Sequence, residues 1–463
     1  MGMWRAFLAI GITAAFAFPT KGYTAVPSYN VEEAVALAEA QNPEIVVARK
    51  KVQGARGGVV EARSGFLPAL VSTGLLRERH AERDTRLRDE DYGASLRVVQ
   101  NLYTGGAVSN QLLIARLNLQ IQELELRATA NRVVMDVRIA FNEILLNRAR
   151  IHVQEQSVGV LQEEVKSQQE RFNAGLVGEL NVRRAEVALA NEQPALVDAQ
   201  TQLKNSYLRV GELLGIDSHA NSGGTAFEAR GELQYRRSEP SLSECLARAD
   251  AERPEIQARR KQIEIEDRQA EVDRSALRPQ VEAFSGYEVY NERDPLVGPE
   301  FNHGYVVGLN ARWNIFDGFA TKGRLIATHA RREAAVQALK ATQLSVASEV
   351  RSAFFDIERA DRVLESEAKN VELADESLQL AKANLVAGLG TQLDILQAAS
   401  DVTRTRTTRL NAIYEHSAAL ARLARACGVT PAALGSSAQM VGSTGAKKGV
   451  ADLAQPPQEL TQQ

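Results

Sequence analysis

Four motifs occur twice in this chain of 463 residues, at a nearly constant separation. Arg171-Phe172-Asn173-Ala174-Gly175-Leu176 returns as Asn384-Leu385-Val386-Ala387-Gly388-Leu389 (388 − 175 = 213). Asn101-Leu102-Tyr103-Thr104-Gly105 returns as Asn314-Ile315-Phe316-Asp317-Gly318 (314 − 101 = 213). Asn42-Pro43-Glu44-Ile45 returns as Arg253-Pro254-Glu255-Ile256 (253 − 42 = 211), and Leu67-Pro68 as Arg278-Pro279 (278 − 67 = 211). A period this long marks a duplicated unit of domain size rather than a solenoid of short repeats. The duplication constrains the fold because each half has only two stretches of strand-like alternation, and two strands leave a sheet with open edges.

The bulk numbers narrow the class. Net charge is −3, which suggests neither polyanion binding nor an acidic tail. Hydrophobic residues make up 44% and aromatics only 5%, a pairing that suits long Ala/Leu/Val-rich helices better than a compact aromatic core. No internal run approaches the ~20 apolar residues of a spanning helix, so a membrane crossing would have to be a barrel. At the N-terminus, Arg5 precedes an apolar stretch from Ala6 to Phe18, and Ala15-Phe16-Ala17 has the small-x-small form of a cleavage site. Residues 1–17 therefore read as a secretory signal peptide.

Periodicity divides the rest. Residues 28–214 form a first repeat, 215–240 a Gly-, Ser- and charge-rich linker, 241–430 a second repeat, and 431–463 a Gly/Ser/Gln-rich tail expected to be disordered. The first repeat predicts a helix from Val31 to Arg63 broken at Asn42-Pro43, strands over 66–76 and 94–103, a long helix from about 106 to Phe172, and a return helix over 180–214. The charged stretch 77–91 reads as a solvated loop between the strands; its acids and bases alternate, which excludes a nucleic-acid patch. The second repeat predicts a helix over 241–277, strands over 280–290 and 304–316, a long helix over 318–385 and a closing helix to Cys427. Val137, Ile144, Ile151, Val158, Val165 and Phe172 form a heptad series, and adding 213 to each gives Val350, Ile357, Leu364, Val371, Leu378 and Leu385. Such a repeat predicts left-handed coiled-coil packing.

Lengths then set the architecture. Each long helix spans about 100 Å, and the helices before and after it about 50 Å each. Each half thus offers one continuous helix beside one stacked pair. The four strands gather at one end. The smallest membrane barrels need eight strands, so closure requires several copies.

The order signal peptide, helix, hairpin, long helix, tip turn and return helix, all duplicated, resembles the TolC-like outer-membrane efflux protein family. The resemblance is carried by Val31-Glu32-Glu33-Ala34-Val35-Ala36-Leu37-Ala38 with Asn42-Pro43-Glu44, by Asn314-Ile315-Phe316-Asp317-Gly318-Phe319, and by the tips Arg171–Val177 and Ala387–Leu396. It implies a mixed, mainly-α fold with a membrane β-barrel: a long coiled-coil helical barrel with four barrel strands per protomer, closed as a homotrimer. It also implies a passive exit duct in the bacterial outer membrane, with its helical part in the periplasm. A periplasmic adaptor and an inner-membrane pump of the resistance-nodulation-division or ABC type would deliver cargo for efflux or type I secretion. No cofactor, metal or nucleic acid is implied.

Strand alternation nominates two faces. Leu96, Val98, Leu309 and Trp313 suit lipid, with Trp313 at the interface. Arg97, Asn101, Asn310, Arg312 and Asn314 suit a watery lumen; Tyr103 alternates onto this second side. A soluble sheet with one wet face is the competing reading of the strands alone. At the turns, Gly175, Gly178, Gly388 and Gly390 supply permission for positive φ. The family resemblance adds that Gly175-Leu176 and Gly388-Leu389 dock the adaptor. It also places Asp394 at a tunnel constriction, with Asn181 as its first-half counterpart and Gln397 where relatives often carry a second acid. Asp394 equally suits a plain helix-start role.

Enzymatic signatures are missing. The six histidines show no HExxH spacing, and neither a phosphate-binding GxxxxGK[ST] nor a GxSxG elbow occurs. Cys245 and Cys427 are too few for a disulfide framework; both read as idle thiols, with a bridge left open. Two other functions compete: a periplasmic coiled-coil adaptor without a membrane barrel, and a soluble structural coiled coil.

Overall fold

The computed structural model describes residues 27–78, 90–216, 227–238, 240–291 and 301–428. The expected signal peptide and tail, and most of the two strand-connecting loops, lie outside the described residues. The first repeat runs β1 (Ser28–Tyr29), α1 (Val31–Gln41), α2 (Pro43–Ser64), β2 (Ala69–Glu78), β3 (Glu90–Tyr103), α3 (Ala107–Asn173) and α4 (Glu179–Leu214). The linker carries β4 (Glu228–Ala229), and the second repeat runs α5 (Leu242–Glu252), α6 (Pro254–Ser275), β5 (Gln280–Asn291), β6 (Phe301–Arg312), α7 (Ala320–Val386) and α8 (Gln392–Cys427). Corresponding helices match in length residue for residue, at 11, 22, 67 and 36. The duplication is therefore structural as well as sequential.

Proline sets the breaks. Asn42 and Arg253 precede Pro43 and Pro254 and are held out of the α region, with ψ of 127° and 122°. Each then ties its stacked helices together at their mid-height joint. Asn42 Oδ1 caps α2 by accepting from the Glu44 N–H at 2.9 Å, and its Nδ2 donates to the Leu213 carbonyl at 2.8 Å, at the end of α4. Arg253 takes the same place in the second repeat. Its Nη1 donates to the Ala426 carbonyl at 3.5 Å at the end of α8, and it also pairs with Glu349 (2.7 Å) and Glu255 (3.0 Å). Positions 213 and 426 are themselves equivalent, so an amide and a guanidinium do one job at one height.

The columns lie in the order α2/α4, α3, α6/α8, α7: α3 packs against α2 and α4 on one flank and α6 and α8 on the other, and α7 closes on α6 and α8. Each repeat has its own apolar core at mid-height, one around Phe141, Ile144, Val210 and Leu214, the other around Val350, Ile357, Leu423 and Cys427. Burial along the heptads weakens towards the tips. Val137 and Ile144 are fully buried whereas Phe172 is exposed, and Ser157, Leu161, Glu164 and Gln168 take over the buried positions. A helix with neighbours on two flanks cannot keep one stripe for its whole length. The linker adds a feature with no sequence period: β1 pairs parallel with β4, and Phe227 beside β4 enters the first core against Tyr207 and Tyr29.

The four long strands form one antiparallel sheet in the order β2-β3-β5-β6. β2 and β6 are its outer edges. Among the described residues no helix is long and apolar enough to cross a membrane.

Candidate functional site

Register sorts the sheet into two faces, because directly paired residues point the same way. Leu70↔Val98, Ser72↔Leu96, Leu96↔Tyr287, Ala283↔Leu309, Tyr287↔Tyr305 and Ser285↔Val307 define one face. Its leucines, valines and tyrosines stand in the open; Leu76, Tyr305, Val307 and Leu309 are all at least 70% exposed. A patch of this kind marks a surface that meets lipid or protein.

The opposite face carries Val71↔Arg97, Thr73↔Ser95, Arg97↔Gly286, Asn101↔Glu282, Glu282↔Asn310 and Gln280↔Arg312. Its polar groups join across strands. Arg97 pairs with Glu288 at 2.6 Å and lies over the Phe284 ring, Asn310 donates to Glu282 at 2.9 Å, and Thr73 and Ser95 share a 2.6 Å hydroxyl contact. Gly286 and Gly308 make room for these layers: a Cβ on either would fall within 3 Å of Arg97 or of the Phe284 ring. The structure thus brings Arg97, Asn101, Asn310 and Arg312 together on one face, and Leu96, Val98 and Leu309 on the other.

Two strand expectations need correction. β6 ends at Arg312, so Trp313, Asn314 and Ile315 lie past the ladder; β5 begins at Gln280 and offers no further partner. Trp313 is instead held by its indole N–H, which donates to the Leu277 carbonyl at 3.0 Å. The β3–β5 register shifts between Asn101 and Tyr103, so Tyr103 pairs with Val281 on the apolar face, against simple alternation. Where the sheet meets the helices, Phe66, Leu67, Leu102, Tyr103, Trp313 and Phe316 are exposed together, an aromatic-rich band of the kind found at bilayer interfaces.

The tips repeat one motif. At the first, the Leu176 N–H donates to the Arg171 carbonyl and the Gly175 N–H to the Phe172 carbonyl, both at 2.9 Å. At the second, Leu389 donates to Asn384 at 2.9 Å and Gly388 to Leu385 at 3.3 Å. This is a Schellman closure, with the left-handed residue at Gly175 (φ 74°) and Gly388 (φ 73°). Gly178 and Gly390 do not use positive φ, contrary to expectation. Gly178 is the extended residue before α4, and Gly390 is needed for space, since a Cβ there would meet Asn384 Cβ at 3.0 Å. Leu176 and Leu389 project outward, more than 70% exposed.

Asp394 sits in a capping box. It accepts from the Thr391 N–H at 2.7 Å while the Thr391 hydroxyl accepts from the Asp394 N–H. The bond from the Thr391 backbone holds its carboxyl below the usual carboxylate range. The same side chain thus has the helix-start role that the sequence offered as one option. Gln397 reaches Asp401 at 3.4 Å on the next turn. Asn181 uses its backbone: its carbonyl accepts from Gln392 Nε2 at 2.8 Å, a link between the two helical hairpins at their tips.

Sequence reasoning missed two buried groups. Arg253 gave no signal beyond its alignment with Asn42. His416 is buried beneath Tyr235, whose hydroxyl donates to Asp361 at 2.9 Å, with His416 Nε2 3.2 Å from the same carboxylate. Burial pushes the His416 imidazole below its ordinary pKa, against the opposing pull of Asp361.

The open two-faced sheet on a duplicated set of helical columns is the architecture of outer-membrane channels. The outer membrane efflux protein family model matches twice, at residues 34–216 and 245–429, and the chain belongs to that family. The two matches start 211 residues apart (245 − 34) and end 213 apart (429 − 216), the offsets of the motifs. Protein CyaE of Bordetella pertussis is 30% identical over 170 residues, 36% of either chain, so the chain spans about a third of that relative's length. The cobalt-zinc-cadmium resistance protein CzcC of Cupriavidus metallidurans is 22% identical over 428 residues, 89% of this chain and 96% of that one. The outer membrane protein VceC of Vibrio cholerae superposes with a TM-score of 0.72 at 18% identity, covering 86% of this chain and 96% of VceC.

Proposed function

We propose that three copies of this chain close into a passive exit duct across the outer membrane, fed by a periplasmic adaptor and an inner-membrane pump in efflux or type I secretion. The observation that carries the reading is the sheet: four strands with an apolar face, a polar face and, among the described residues, two edges without partners. Three copies supply twelve strands, above the eight of the smallest membrane barrels. Leu96, Val98 and Leu309 then meet lipid, Trp313 sits at the interface, and Arg97, Asn101, Asn310 and Arg312 line water, with Asn314 just beyond the wall. Edge residues support a head-to-tail ring. Leu180, Val187, Val197 and Leu208 stand uncovered on α4, and Ile326, Leu344, Leu373 and Leu380 on α7, the two outermost columns.

In this reading the projecting tip leucines dock the adaptor. Leu176→Asp or Leu389→Asp abolishes export while trimers persist in the membrane. Asp394, with Asn181 and Gln397 nearby in sequence equivalence, narrows the periplasmic mouth. Energy comes from the pump. Membrane fractionation with single-channel recording tests the duct; a soluble, non-conducting protein overturns it and favours an adaptor.

A further inference from the structure

The chain has two cysteines, and they meet. Cys245, in the first turn of α5, and Cys427, the last residue of α8, are both buried and free, where α5 packs on α8, and each thiol perturbs the other's titration. They belong to one apolar cluster with Ala249, Ala424 and Leu423. Coincidence is a weak account. A buried residue touches about 6–12 others, so in a chain of 463 residues chance sets a second cysteine against the first roughly once in 40 to 80 cases.

The duplication supplies an internal control. The equivalent positions in the first repeat are Ala34 (245 − 211) and Leu214 (427 − 213), both fully buried in the corresponding core. The surroundings match as well: Gly215 and Gly428 follow the two helix ends with φ of 69° and 73°. A Cβ on Gly215 would meet Gln41, and one on Gly428 would meet Glu252, the residue 211 later. The site thus packs adequately with two ordinary apolar side chains. Only the second repeat has a thiol at both ends of the contact. No group of three or more His, Cys, Asp or Glu able to hold a metal ion occurs among the described residues, so two buried thiols in an apolar cluster suit a covalent bond better than a ligand set.

We propose that Cys245 and Cys427 form a disulfide that fastens the last turn of α8 to α5. The proposal rests on the export of the chain argued above, because disulfides persist in oxidising compartments. The oxidant is the disulfide of an exported thiol–disulfide oxidoreductase. One cysteine thiolate attacks that disulfide, giving a mixed disulfide and releasing one oxidant thiolate. The second cysteine thiolate then attacks the mixed disulfide at the first cysteine's sulfur, forming the Cys245–Cys427 bond and releasing the second oxidant thiolate. Two thiols are oxidised, one oxidant disulfide is reduced to a dithiol, and the two cysteine protons end on the oxidant's sulfurs. The exchange takes place before the core closes over both residues.

The bond would anchor α8 at the end farthest from its tip, on the column flanked by α3 and α7. The test uses the full chain, isolated from the membrane fraction in acid to trap thiols, denatured, and alkylated with or without prior reduction. No alkylated cysteine without reductant and two with it, plus a 245–427 cross-linked peptide by mass spectrometry, are expected. Cys245→Ser and Cys427→Ser should each leave one free thiol. Two free thiols in protein recovered from the outer membrane overturn the disulfide and leave the duct standing. Unfolded chain refolded in an oxidised glutathione buffer decides the pairing independently of location. There, failure to form the intramolecular bond counts against the inference, and bond formation in a protein that is not exported counts against the duct alone.

Discussion

α4 and α8 are equivalent helices of 36 residues with different surroundings. α8 lies between α3 and α7, and α4 lies at the outer edge of the chain. Leu208 on α4 is 58% exposed, while its counterpart Ala421 (208 + 213) is 4% exposed. Val197 is likewise open, and its counterpart Leu410 is half-buried. The same backbone position is thus covered in one repeat and bare in the other, and the bare position is apolar in both pairs. The lesson is that in the proposed ring the neighbour of α4 would have the character of α7, whose own outer face is equally bare.

The strongest challenge to this comparison is to charge the bare face. Leu208→Asp together with Leu344→Asp should eliminate trimers in cross-linking and sedimentation while helix content by circular dichroism is unchanged. Trimers that survive would mean that these faces do not meet. A smaller effect tests whether the two repeats are knitted alike. Asn42→Ala removes an N-cap and a link to Leu213, and should cost about 2 kcal/mol. Arg253→Ala should cost a similar amount, since Glu255 and Glu349 are partly exposed and soften the lost ion pairs. Arg253→Asn, which copies the first repeat, should recover about 1 kcal/mol of that loss in denaturant midpoints; no recovery would separate the two solutions.

Acid should affect the second repeat more than the first. The folded pKa of His416 lies below its ordinary 6.5. The unfolded chain therefore binds the proton more readily, and the neutral imidazole's stabilisation is present at neutral pH and lost as pH falls below about 6.5 towards the folded pKa. His416→Gln should flatten thermal stability across that window. An unchanged slope would place the acid sensitivity elsewhere. The smallest effect concerns the helix starts. α8 begins with the Thr391–Asp394 box, while α4 begins at Gly178 without a side-chain cap. Amide exchange at the first turn of α8 should be slower than at α4, and Asp394→Ala should bring them level. Because the carboxyl pKa is depressed in the fold, the difference should also vanish in acid as Asp394 protonates.

Much of this organisation was legible in the sequence because the signals were either strong or doubled. Proline after Asn42 located the first break, and the change from period 3.6 to period 2 located all four long strands; the second repeat was read as one helix over 241–277, although Pro254 breaks it into α5 and α6 just as Pro43 separates α1 and α2. The failures have physical causes. Alternation through Ile315 overran β6 because side-chain pattern carries no information about where the partner strand begins. Tyr103 changed face because a register shift leaves the alternation of its own strand untouched. Gly178 and Gly390 show that glycine grants a conformation without requiring it. β1 and β4, at two residues each, are too short to have a period. Arg253 and His416 were invisible because their burial depends on residues far away in the chain.

The sheet's edges also have a consequence in time. In the proposed assembly, until β2 and β6 found their mates on other copies, a newly made chain would display two rows of unsatisfied amides and carbonyls beside a greasy face, a template for wrong partners as much as right ones. Such a molecule would need escort by chaperones on its way to the membrane, and its yield would depend on how quickly siblings arrive.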